Sequence, residues 1–526
     1  MGTTPDAADE TPSGSDRELP AVPHAVEAAL ALDGLPEQVR VRREKLDRIR
    51  EMGIDPYPVA APRTDTLAAV RAQHGGLEAD QRTGHVVSVV GRVMLKRDGG
   101  KLCFATLRDG SGDLQVMLSV ADVGQEQLDL WKRIIDLGDH VSVTGEVITS
   151  RKGELSVAGT SWVLAAKSLR PLPEKHKGLT DPEARARLRY VDLIVRPDAR
   201  SAAHLRATIV HSVRDSLHRR GFVEVETPIL QLIHGGANAR PFQTHINAYD
   251  MDVYLRIATE LHLKRLLVGG MERVFELGRQ FRNEGADSSH NPEFTSLEMY
   301  QTYADYQDMR ILTQEIIQEA ATAAFGEPVA RRIQPDGSIA EYDLSGQWRH
   351  ITVLDAVSEQ LGEHIHADTP IDFLRAHAAA HDIEIEAHWT WGAVLEALYE
   401  ELCEDSTELP TFYMDFPKEI APLTKAHRAD PRFAEKWDLV AWGAEQGTAY
   451  SELNDPVDQR ARFLAQSLLA AAGDLEAMVI DEDFLQALEY GMPPTGGQGM
   501  GIDRLVMTLT GLNIRETILF PMVKPL

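Results

Sequence analysis

Residues 275–303 read FELGRQFRNEGADSSHNPEFTSLEMYQTY, and this pattern predicts an apolar strand, a polar loop and a returning strand. The returning strand alternates between two kinds of side chain: Phe294, Ser296, Glu298 and Tyr300 on one face, Leu297 and Met299 on the other. The loop holds four polar side chains, Arg282, Glu284, Asp287 and His290. A face that carries a carboxylate between aromatic rings is typical of the wall of a small-molecule pocket, so we predict a binding site along this hairpin.

Length and composition predict a globular protein of two or three domains, because the chain has 526 residues of which 43% are hydrophobic. No apolar run approaches the roughly 20 residues of a membrane helix, and residues 1–16 lack the layout of a signal peptide. The two cysteines, Cys103 and Cys403, exclude a disulfide framework and a cysteine-based zinc site. We therefore expect a cytoplasmic protein with no membrane partner.

The net charge of −27 argues against a protein that holds nucleic acid by overall basicity. Local basic patches remain compatible with this charge, because phosphate contacts depend on nearby lysine and arginine. Charge alone leaves the partner open.

The N-terminal third of the chain predicts a small barrel. Residues 1–34 are predicted to be a disordered acidic tail. Residues 35–52 are predicted to form a basic helix, and a solvated surface helix is at least as compatible with its sequence as a nucleic-acid contact. Five short alternating strands then follow between residues 86 and 166, with a helix at residues 122–135 after the third strand. This order is typical of an OB-fold barrel.

Barrels of this kind bind single-stranded nucleic acid through stacked aromatic rings and polar side chains. Phe104 and Gln115 lie on consecutive predicted strands, and Glu154 opens the last one. These three are the candidate nucleic-acid contacts, although each is also compatible with an ordinary barrel residue.

Near the C-terminus, Asp438, Glu445 and Glu452 recur at intervals of seven residues in a strand-like pattern. An odd interval places residues on opposite faces of one strand, so we predict a turn at residues 445–448 that lets these carboxylates converge. The glycine-rich run GGQGMGIDR, residues 496–504, permits close backbone approach and leads into a helix that carries Arg504.

Three stretches together resemble motifs 1, 2 and 3 of the class II aminoacyl-tRNA synthetases: TPI at residues 227–229, FRNEG at 281–285 with HNPEF downstream, and GMGIDRL at 499–505. Further stretches are similar to the lysyl-tRNA synthetases of subclass IIb in their bacterial form: RVRREKLDRIREMGIDPYP, RLRYVDLIV, GGANARPF, LRIATELHLKRLLVGG, YSELNDPVDQRARF and RETILFP. The resemblance covers nearly everything after residue 35.

The resemblance implies an α+β fold with an N-terminal OB-fold barrel and an antiparallel sheet flanked by helices. The implied domains are an N-terminal helix with an anticodon-binding barrel at residues 35–170, a linker at 171–200, and a catalytic domain at 201–526 with a helical insertion at about 320–432. The implied partners are L-lysine, ATP, tRNA(Lys) and a second copy of the chain in a homodimer, with motif 1 at the interface. The implied reaction is lysine–tRNA ligation through lysyl-adenylate and pyrophosphate, with Mg²⁺ as cofactor.

The resemblance also implies roles for individual residues. Arg282 and Arg504 are the expected catalytic cations, since fixed guanidinium groups suit a phosphoryl centre where charge develops. The expected ATP contacts are Arg282, Glu284, His290, Phe294, Glu445 and Arg504. The expected lysine contacts are Gly236, Glu260, Glu298, Tyr300, Thr448, Tyr450 and Glu452. Asp438 and Glu445 offer the hard oxygen ligands that magnesium prefers, and Phe104, Gln115 and Glu154 are the expected anticodon contacts.

Five positions depart from the commonest pattern of the family: Thr448 for Asn, Asp438 for Glu, Thr259 for Pro, and the residues Gln446 and Gln498. None removes an essential charge, but a shorter metal ligand at Asp438 or a hydroxyl at Thr448 is compatible with altered metal or lysine binding, and so with a specialised second copy of the enzyme rather than the housekeeping one. The alternative function is a non-catalytic RNA-binding or regulatory paralog, against which Arg282, Glu284 and Arg504 argue. Enzymes for aspartate or asparagine would carry cationic or amide groups in the pocket, and a lysyl donor for membrane lipid usually carries an attached membrane domain.

Overall fold

The computed structural model describes residues 35–173, 178–237, 239–334, 336–471 and 480–525. The predicted tail at residues 1–34 lies outside the described residues. The chain divides into two compact units, residues 1–178 and residues 179–526. No helix in the described part of the chain has the length and apolarity needed to cross a bilayer.

The first unit is built around a closed five-stranded barrel. Its helices are α1 Glu37–Glu51, α2 Leu67–His74, α3 Val120–Val123 and α4 Gln125–Ile134. Its strands are β1 Arg82–Asp98, β2 Leu102–Arg108, β3 Asp113–Ser119, β4 His140–Thr149 and β5 Leu155–Ala166. The barrel order is β1-β2-β3-β5-β4, so the predicted strands and the helical segment after the third strand are confirmed.

Strict alternation closes the barrel around an apolar interior. In β2 and β3, buried residues such as Leu107 and Val116 alternate with half-buried ones. Phe104 and Gln115 belong to the half-buried set, so both point away from the interior. The outer surface of these two strands therefore holds the candidate nucleic-acid contacts.

The second unit contains an eight-stranded sheet and a layer of helices. Its helices are α5 Pro182–Arg187, α6 Arg189–Val195, α7 Pro197–Arg219, α8 Glu260–Val268, α9 Tyr306–Phe325, α10 Val353–Leu361, α11 Ile371–Ala380, α12 Trp391–Tyr399, α13 Pro456–Ala471, α14 Glu482–Glu489, α15 Ile502–Thr510 and α16 Ile514–Thr517. A π-helical turn at Glu400–Glu404 and a 3₁₀ turn at Lys418–Ile420 complete the helical elements of this unit's described residues.

The strands of the second unit are β6 Val223–Glu224, β7 Leu230–Gln231, β8 Gln243–Ile246, β9 Met251–Leu255, β10 Arg273–Phe281, β11 Glu293–Thr302, β12 Val329–Ile333, β13 Ile339–Asp343, β14 Arg349–Thr352, β15 Thr411–Pro417, β16 Phe433–Ala441, β17 Ala444–Ser451 and β18 Thr495–Gly501. The main sheet has the order β14-β15-β16-β17-β18-β11-β10-β6. Its central pairs are antiparallel, and β6 and β14 pair in parallel at the two edges. The predicted hairpin of residues 275–303 is therefore β10 and β11, which lie between β18 and the edge strand β6.

The two faces of the sheet differ, as the alternation in β11 predicts. Leu297 and Met299 lie in one apolar cluster with buried residues of α7, α9 and α15. Glu298 and Tyr300 project from the opposite face and line a cavity. Helices α7, α9 and α15 cover the apolar face, whereas the polar face has a cavity beside the helices α8, α13 and α14 that pack on it.

Two segments differ from the sequence-based assignment. The stretch assigned to a linker, residues 171–200, contains α5 and α6, and the buried Arg189 of α6 donates to the carbonyl oxygen of Arg515 at 2.6 Å. The stretch assigned to a helical insertion, about 320–432, also supplies strands β14 and β15 of the main sheet. The prolines and cations of this segment made it look like a linker. Helices α5 and α6 were not predicted because the contacts that stabilise them come from residues more than 300 positions away.

The turn predicted at residues 445–448 lies earlier in the chain. Strand β16 ends at Ala441 and β17 begins at Ala444, so Trp442 and Gly443 form the turn, with φ of 50° and 67°. Two consecutive positive φ values are those of a type I′ turn, for which tryptophan is an unusual residue. The indole of Trp442 lies 4.3 Å from the guanidinium of Arg332, a long-range contact that local sequence does not reveal.

Gln498, on strand β18, has a buried side-chain amide that lacks hydrogen-bond partners. It is opposite Met299 and Ala449 on the apolar face, is 2% exposed, and neither amide atom of its side chain has a hydrogen-bond partner. Replacing it with leucine, of similar size, removes an unsatisfied buried amide. We expect Gln498→Leu to raise the free energy of unfolding by about 1–3 kcal/mol, measured by urea denaturation followed by circular dichroism.

The matched control is Gln446→Leu. Gln446 is also buried, but its amide donates to the carbonyl oxygen of Ala444 at 2.8 Å and accepts from the Thr508 hydroxyl at 2.5 Å. This variant should lower the free energy of unfolding, because it leaves those partners unsatisfied. A loss of stability in Gln498→Leu equal to that in the control would contradict the assignment.

Candidate active site

A cavity of about 380 Å³ lies against the polar face of the main sheet. Its walls come from β11, β17 and β18, from the start of α8, from the loop between β10 and β11, and from the start of α15. The residues on these elements differ in charge from one part of the cavity to another. One group is anionic and the other holds guanidinium side chains.

Three carboxylates, those of Glu260, Glu298 and Glu452, form the anionic end of the cavity. One carboxylate oxygen of Glu298 accepts from the backbone N–H of Thr259 at 2.9 Å, and the other accepts from the hydroxyl of Tyr300 at 3.2 Å. All three glutamates are less than a tenth exposed. Burial raises the pKa of Glu298 to about 7 and that of Glu452 to about 8.

A buried cation lies behind this anionic end. The ammonium of Lys264, one turn further along α8 from Glu260, contacts Glu260 Oε1 at 2.6 Å and also contacts Glu452 Oε2. Burial alone would lower the pKa of Lys264, but the two carboxylates raise it above its ordinary value. The ammonium of Lys264 therefore joins the side chains of Glu260 and Glu452.

Two glycines make room for these carboxylates. A Cβ atom on Gly497 of β18 would lie 2.0 Å from Glu452 Oε1 and 2.4 Å from Tyr300 Cε1. Gly236 has a φ of +85°, and a Cβ there would lie 3.1 Å from the Cβ of Glu260. The glycine-rich run is thus a central strand whose missing side chains give the cavity its depth.

Arg282 and Arg504 form the cationic part and line the same cavity. The guanidinium of Arg282 lies 5.2 Å from the ring centroid of Phe294, which follows on β11. Arg504 donates to the carbonyl oxygen of Glu445 at 2.6 Å, and its other terminal nitrogen lies 3.4 Å from Nε2 of His290. Two fixed positive groups therefore converge, from the hairpin and from α15.

The loop between β10 and β11 is shaped by Asp287. Its carboxylate accepts from the backbone N–H groups of Ser289 and His290, both at 2.7 Å, and lies 3.0 Å from Nδ1 of His290. These hydrogen bonds, the Ser289 N–H first, hold the pKa of Asp287 well below its usual range. Glu284, in the same loop, accepts from the backbone N–H of Arg240 at 3.4 Å. The loop therefore aims His290 at Arg504.

Of the two predicted metal ligands, Asp438 and Glu445, one lies outside the cavity lining. Glu445 lines the cavity. Asp438 lies on β16, paired with Thr448 of β17, and is not part of the cavity lining. Lys436 contacts Asp438 Oδ2 at 2.9 Å, while Oδ1 is buried without a hydrogen-bond partner. Burial raises the pKa of Asp438, and the neighbouring Lys436 ammonium opposes this rise. No group of three or more His, Cys, Asp or Glu side chains within the described ranges has the arrangement of a metal site.

The other predicted contacts are distributed as follows. Thr448 and Tyr450 line the cavity beside Glu452, so all seven predicted lysine contacts share one cavity with the predicted ATP contacts. In the barrel, the amide of Gln115 donates to the hydroxyl of Ser156 at 2.9 Å, and Glu154 is exposed two residues before Ser156. Phe104 and Gln115 therefore share a face of the barrel that Glu154 borders.

Sequence reasoning assigned no role to Lys264 or Gly497. Lys264 follows Glu260 by four residues, the spacing of side chains that meet on a helix, and this was the available local signal. Its contact with Glu452 joins residues 188 positions apart, which no local pattern predicts. Gly497 stands beside Tyr300 only because β18 inserts between β11 and β17.

Two family models match the chain. The model described as tRNA synthetases class II (D, K and N) matches residues 181–524, and the model described as OB-fold nucleic acid binding domain matches residues 87–165.

Curated relatives match over most of the chain. It is 56% identical over 509 residues to the lysine–tRNA ligase of Mycobacterium bovis (strain BCG / Pasteur 1173P2), covering 95% of this chain and 99% of that protein. It is 54% identical over 490 residues to the lysylphosphatidylglycerol biosynthesis bifunctional protein LysX of Rhodococcus opacus (strain B4), covering 93% of this chain and 43% of that protein. The corresponding protein of Mycobacterium marinum is 56% identical over 491 residues, so the chain spans less than half of the length of these two bifunctional relatives.

Gly497→Ala tests the geometry of the anionic end. The added Cβ must displace the Glu452 carboxylate or the ring of Tyr300, because its contacts at 2.0 and 2.4 Å are impossible. Overpacking of this kind costs about 1–3 kcal/mol. We expect affinity for L-lysine, measured by calorimetry, to fall about tenfold or more, since 1.4 kcal/mol corresponds to a factor of ten.

Gly499→Ala is the matched control on the same strand and face. A Cβ at Gly499 would lie 3.9 Å from Glu298 Cγ, an ordinary contact, so its affinity for L-lysine should stay near that of the unmodified protein. Equal losses in the two variants would show that Gly497 has no special relation to the carboxylates.

Proposed function

The chain belongs to the class II tRNA synthetases for aspartate, lysine and asparagine, and we propose that it is a lysine–tRNA ligase. In the first step, a carboxylate oxygen of L-lysine attacks the α-phosphorus of ATP, and pyrophosphate leaves. In the second step, a hydroxyl of the terminal adenosine of tRNA(Lys) attacks the carbonyl carbon of lysyl-adenylate, and AMP leaves.

One observation carries the choice of lysine: three buried carboxylates, Glu260, Glu298 and Glu452, lie at one end of a cavity that two guanidinium groups line elsewhere. Such an end suits an amino acid with an ammonium at both ends of its chain. It repels the side-chain carboxylate of aspartate. The side chain of asparagine is neutral, so it would leave a carboxylate of the cavity without an opposite charge. Tyr300 and Tyr450 supply aromatic walls for the methylene chain.

The cationic residues suit the phosphoryl step. Two anions must approach each other, so catalysis depends on positioning and on fixed positive charge rather than on a protein nucleophile. In this proposal Arg282 contacts the α-phosphate, Arg504 contacts the γ-phosphate, and Phe294 stacks on adenine. Glu284 and His290 lie beside the nucleotide. The hydrogen bond from Arg504 to the Glu445 carbonyl supports this role, because it fixes the guanidinium before ATP arrives.

Asp438 and Glu445 are the proposed Mg²⁺ ligands. The buried, unpartnered Oδ1 of Asp438 and the cavity position of Glu445 fit this assignment. Magnesium is usually held by one or two carboxylates together with substrate phosphates and waters, so two protein ligands are sufficient. When bound, the ion neutralises phosphate charge in the transition state.

We propose a cytoplasmic homodimer that binds the tRNA anticodon through Phe104, Gln115 and Glu154. The segment after motif 1 supports a second copy, because apolar Leu230 and Leu232 are 46% and 63% exposed.

The proposed function is tested by ATP–pyrophosphate exchange with each amino acid in turn, followed by charging of purified tRNA. We expect exchange with lysine alone and lysine attachment to tRNA(Lys). Exchange with aspartate or asparagine would assign the chain to a sister enzyme. No exchange with any amino acid would favour the non-catalytic RNA-binding or regulatory alternative.

The raised pKa values predict a pH dependence for lysine. A carboxyl group attracts an ammonium only when ionised, and the pKa is about 7 for Glu298 and about 8 for Glu452. Raising the pH through this window ionises both groups, so the KM for lysine should fall between about pH 6 and pH 8.5 and then level off, by up to about tenfold per pH unit for each group. The KM for ATP, measured in the same exchange assay, is the control. A KM for lysine that is flat across this window would contradict the prediction.

A further inference from the structure

Lys264 has a position that the proposed reaction does not use. It is 0% exposed and lies outside the cavity lining, beneath the carboxylates that face the ligand. Its ammonium contacts Glu260 Oε1 and Glu452 Oε2. One oxygen of each carboxylate is thereby occupied, and Glu260 Oε2 and Glu452 Oε1 remain for a ligand.

Charge explains what this cation does. When Glu260, Glu298 and Glu452 are ionised and Lys264 is protonated, the four groups carry a net charge of −2. The two ammonium groups of L-lysine carry +2 and so balance these four groups, while its carboxylate reacts with ATP in the proposed first step. Without Lys264 the same carboxylates would carry −3, and no amino acid with two ammonium groups would balance them. A buried unbalanced charge is strongly disfavoured and is avoided by protonation.

We propose that Lys264 is a specificity-determining positioning residue that matches the charge of the cavity to an amino acid with two ammonium groups. It acts through Glu260 and Glu452 without touching the ligand. This inference rests on the proposed function, because it assigns the cavity to lysine.

The groups that face the ion pair come from three elements. Lys264 and Glu260 lie on α8, Glu298 and Tyr300 on β11, and Glu452 follows β17. The hydroxyl of Tyr450, on β17, is a further titratable group near Glu260, and it also interacts with the charges of Lys436 and Asp438 on β16. Among the described residues, Lys264 is the cation in contact with Glu260 and Glu452, so its removal changes the charge of the carboxylate cluster directly. An opposite charge in contact with a carboxyl lowers the pKa of that carboxyl by about 1–3.

The test compares Lys264→Met with the unmodified protein in lysine-dependent ATP–pyrophosphate exchange between about pH 6 and pH 9.5. We expect the KM for lysine of Lys264→Met to be still falling at pH 9.5, whereas that of the unmodified protein levels off at about pH 8.5, because loss of the cation raises the pKa of the contacted carboxyls by about 1–3. The KM at pH 7 should rise at least about tenfold. The rise in KM should exceed any fall in kcat. Preference for L-lysine over L-norleucine, which lacks the ε-ammonium, should decrease because protonated carboxyls no longer select a cation.

Three further variants separate charge from packing. Lys264→Arg keeps the charge and should restore the pH profile in part. Lys264→Gln is neutral but keeps hydrogen-bond donors, and it should show the shifted profile even if Lys264→Met does not fold. Arg265→Met removes the neighbouring cation of α8, which pairs with Asp481 at 2.8 Å, and should leave the profile unchanged.

The outcomes distinguish this inference from the proposed function. Absence of lysine-dependent exchange in the unmodified protein would overturn the proposed function itself. With normal exchange in that protein, a KM that rises by the same factor at every pH would overturn the inference alone. Failure of both neutral variants to fold, while Lys264→Arg folds, would assign Lys264 a structural role and also overturn it.

Discussion

The structure depends on placing three carboxyl groups, Glu260, Glu298 and Glu452, together where water is scarce. Burial opposes the ionisation of Glu298 and Glu452, as their raised pKa values show. The fold offsets this with a backbone N–H aimed at Glu298 and with the ammonium of Lys264 between Glu260 and Glu452. Burial of these charges is thus costly for the protein, and a ligand with complementary charge relieves that cost. Binding and specificity arise from the same electrostatic imbalance.

The sheet makes this arrangement possible by separating its two faces. Helices α7, α9 and α15 cover the apolar face, where Leu297 and Met299 are fully buried. Strand β18 lies between β11 and β17 and is largely glycine on the polar side, so the side chains of its neighbours fill the space above it. Carboxylates from distant parts of the chain can therefore approach each other across a strand that has no side chains of its own there.

The alternation of polar and apolar residues predicted the secondary structure that short stretches of sequence determine. The alternation in residues 275–303 predicted the hairpin of β10 and β11 and its two faces, and the spacing of apolar residues predicted the five barrel strands. The predicted cavity residues do line one cavity, because the motifs that carried the resemblance supply its walls.

Features set by long-range contacts were not predictable in this way. The turn at Trp442 depends on a contact with Arg332, and the helices in residues 182–195 depend on carbonyl groups near the C-terminus. Lys264 owes its role to Glu452, which is remote in sequence. In each case a residue is stabilised by a partner that only the folded chain supplies, so its local sequence looks ordinary or even unfavourable.

The hydrogen bonds around Gln446 have a consequence for the position of Arg504. Gln446 accepts from Thr508, and Arg504 donates to the carbonyl oxygen of Glu445, so α15 is attached to β17 at two points. The loop of residues 283–288, which faces Arg504 through His290, is attached as well, because Asn283 donates to the carbonyl oxygen of Arg240 and Ile514 donates to that of Ser288. The guanidinium of Arg504 is therefore positioned by the folded chain before any ligand is bound, and a ligand has to fit that position rather than draw the side chain into place.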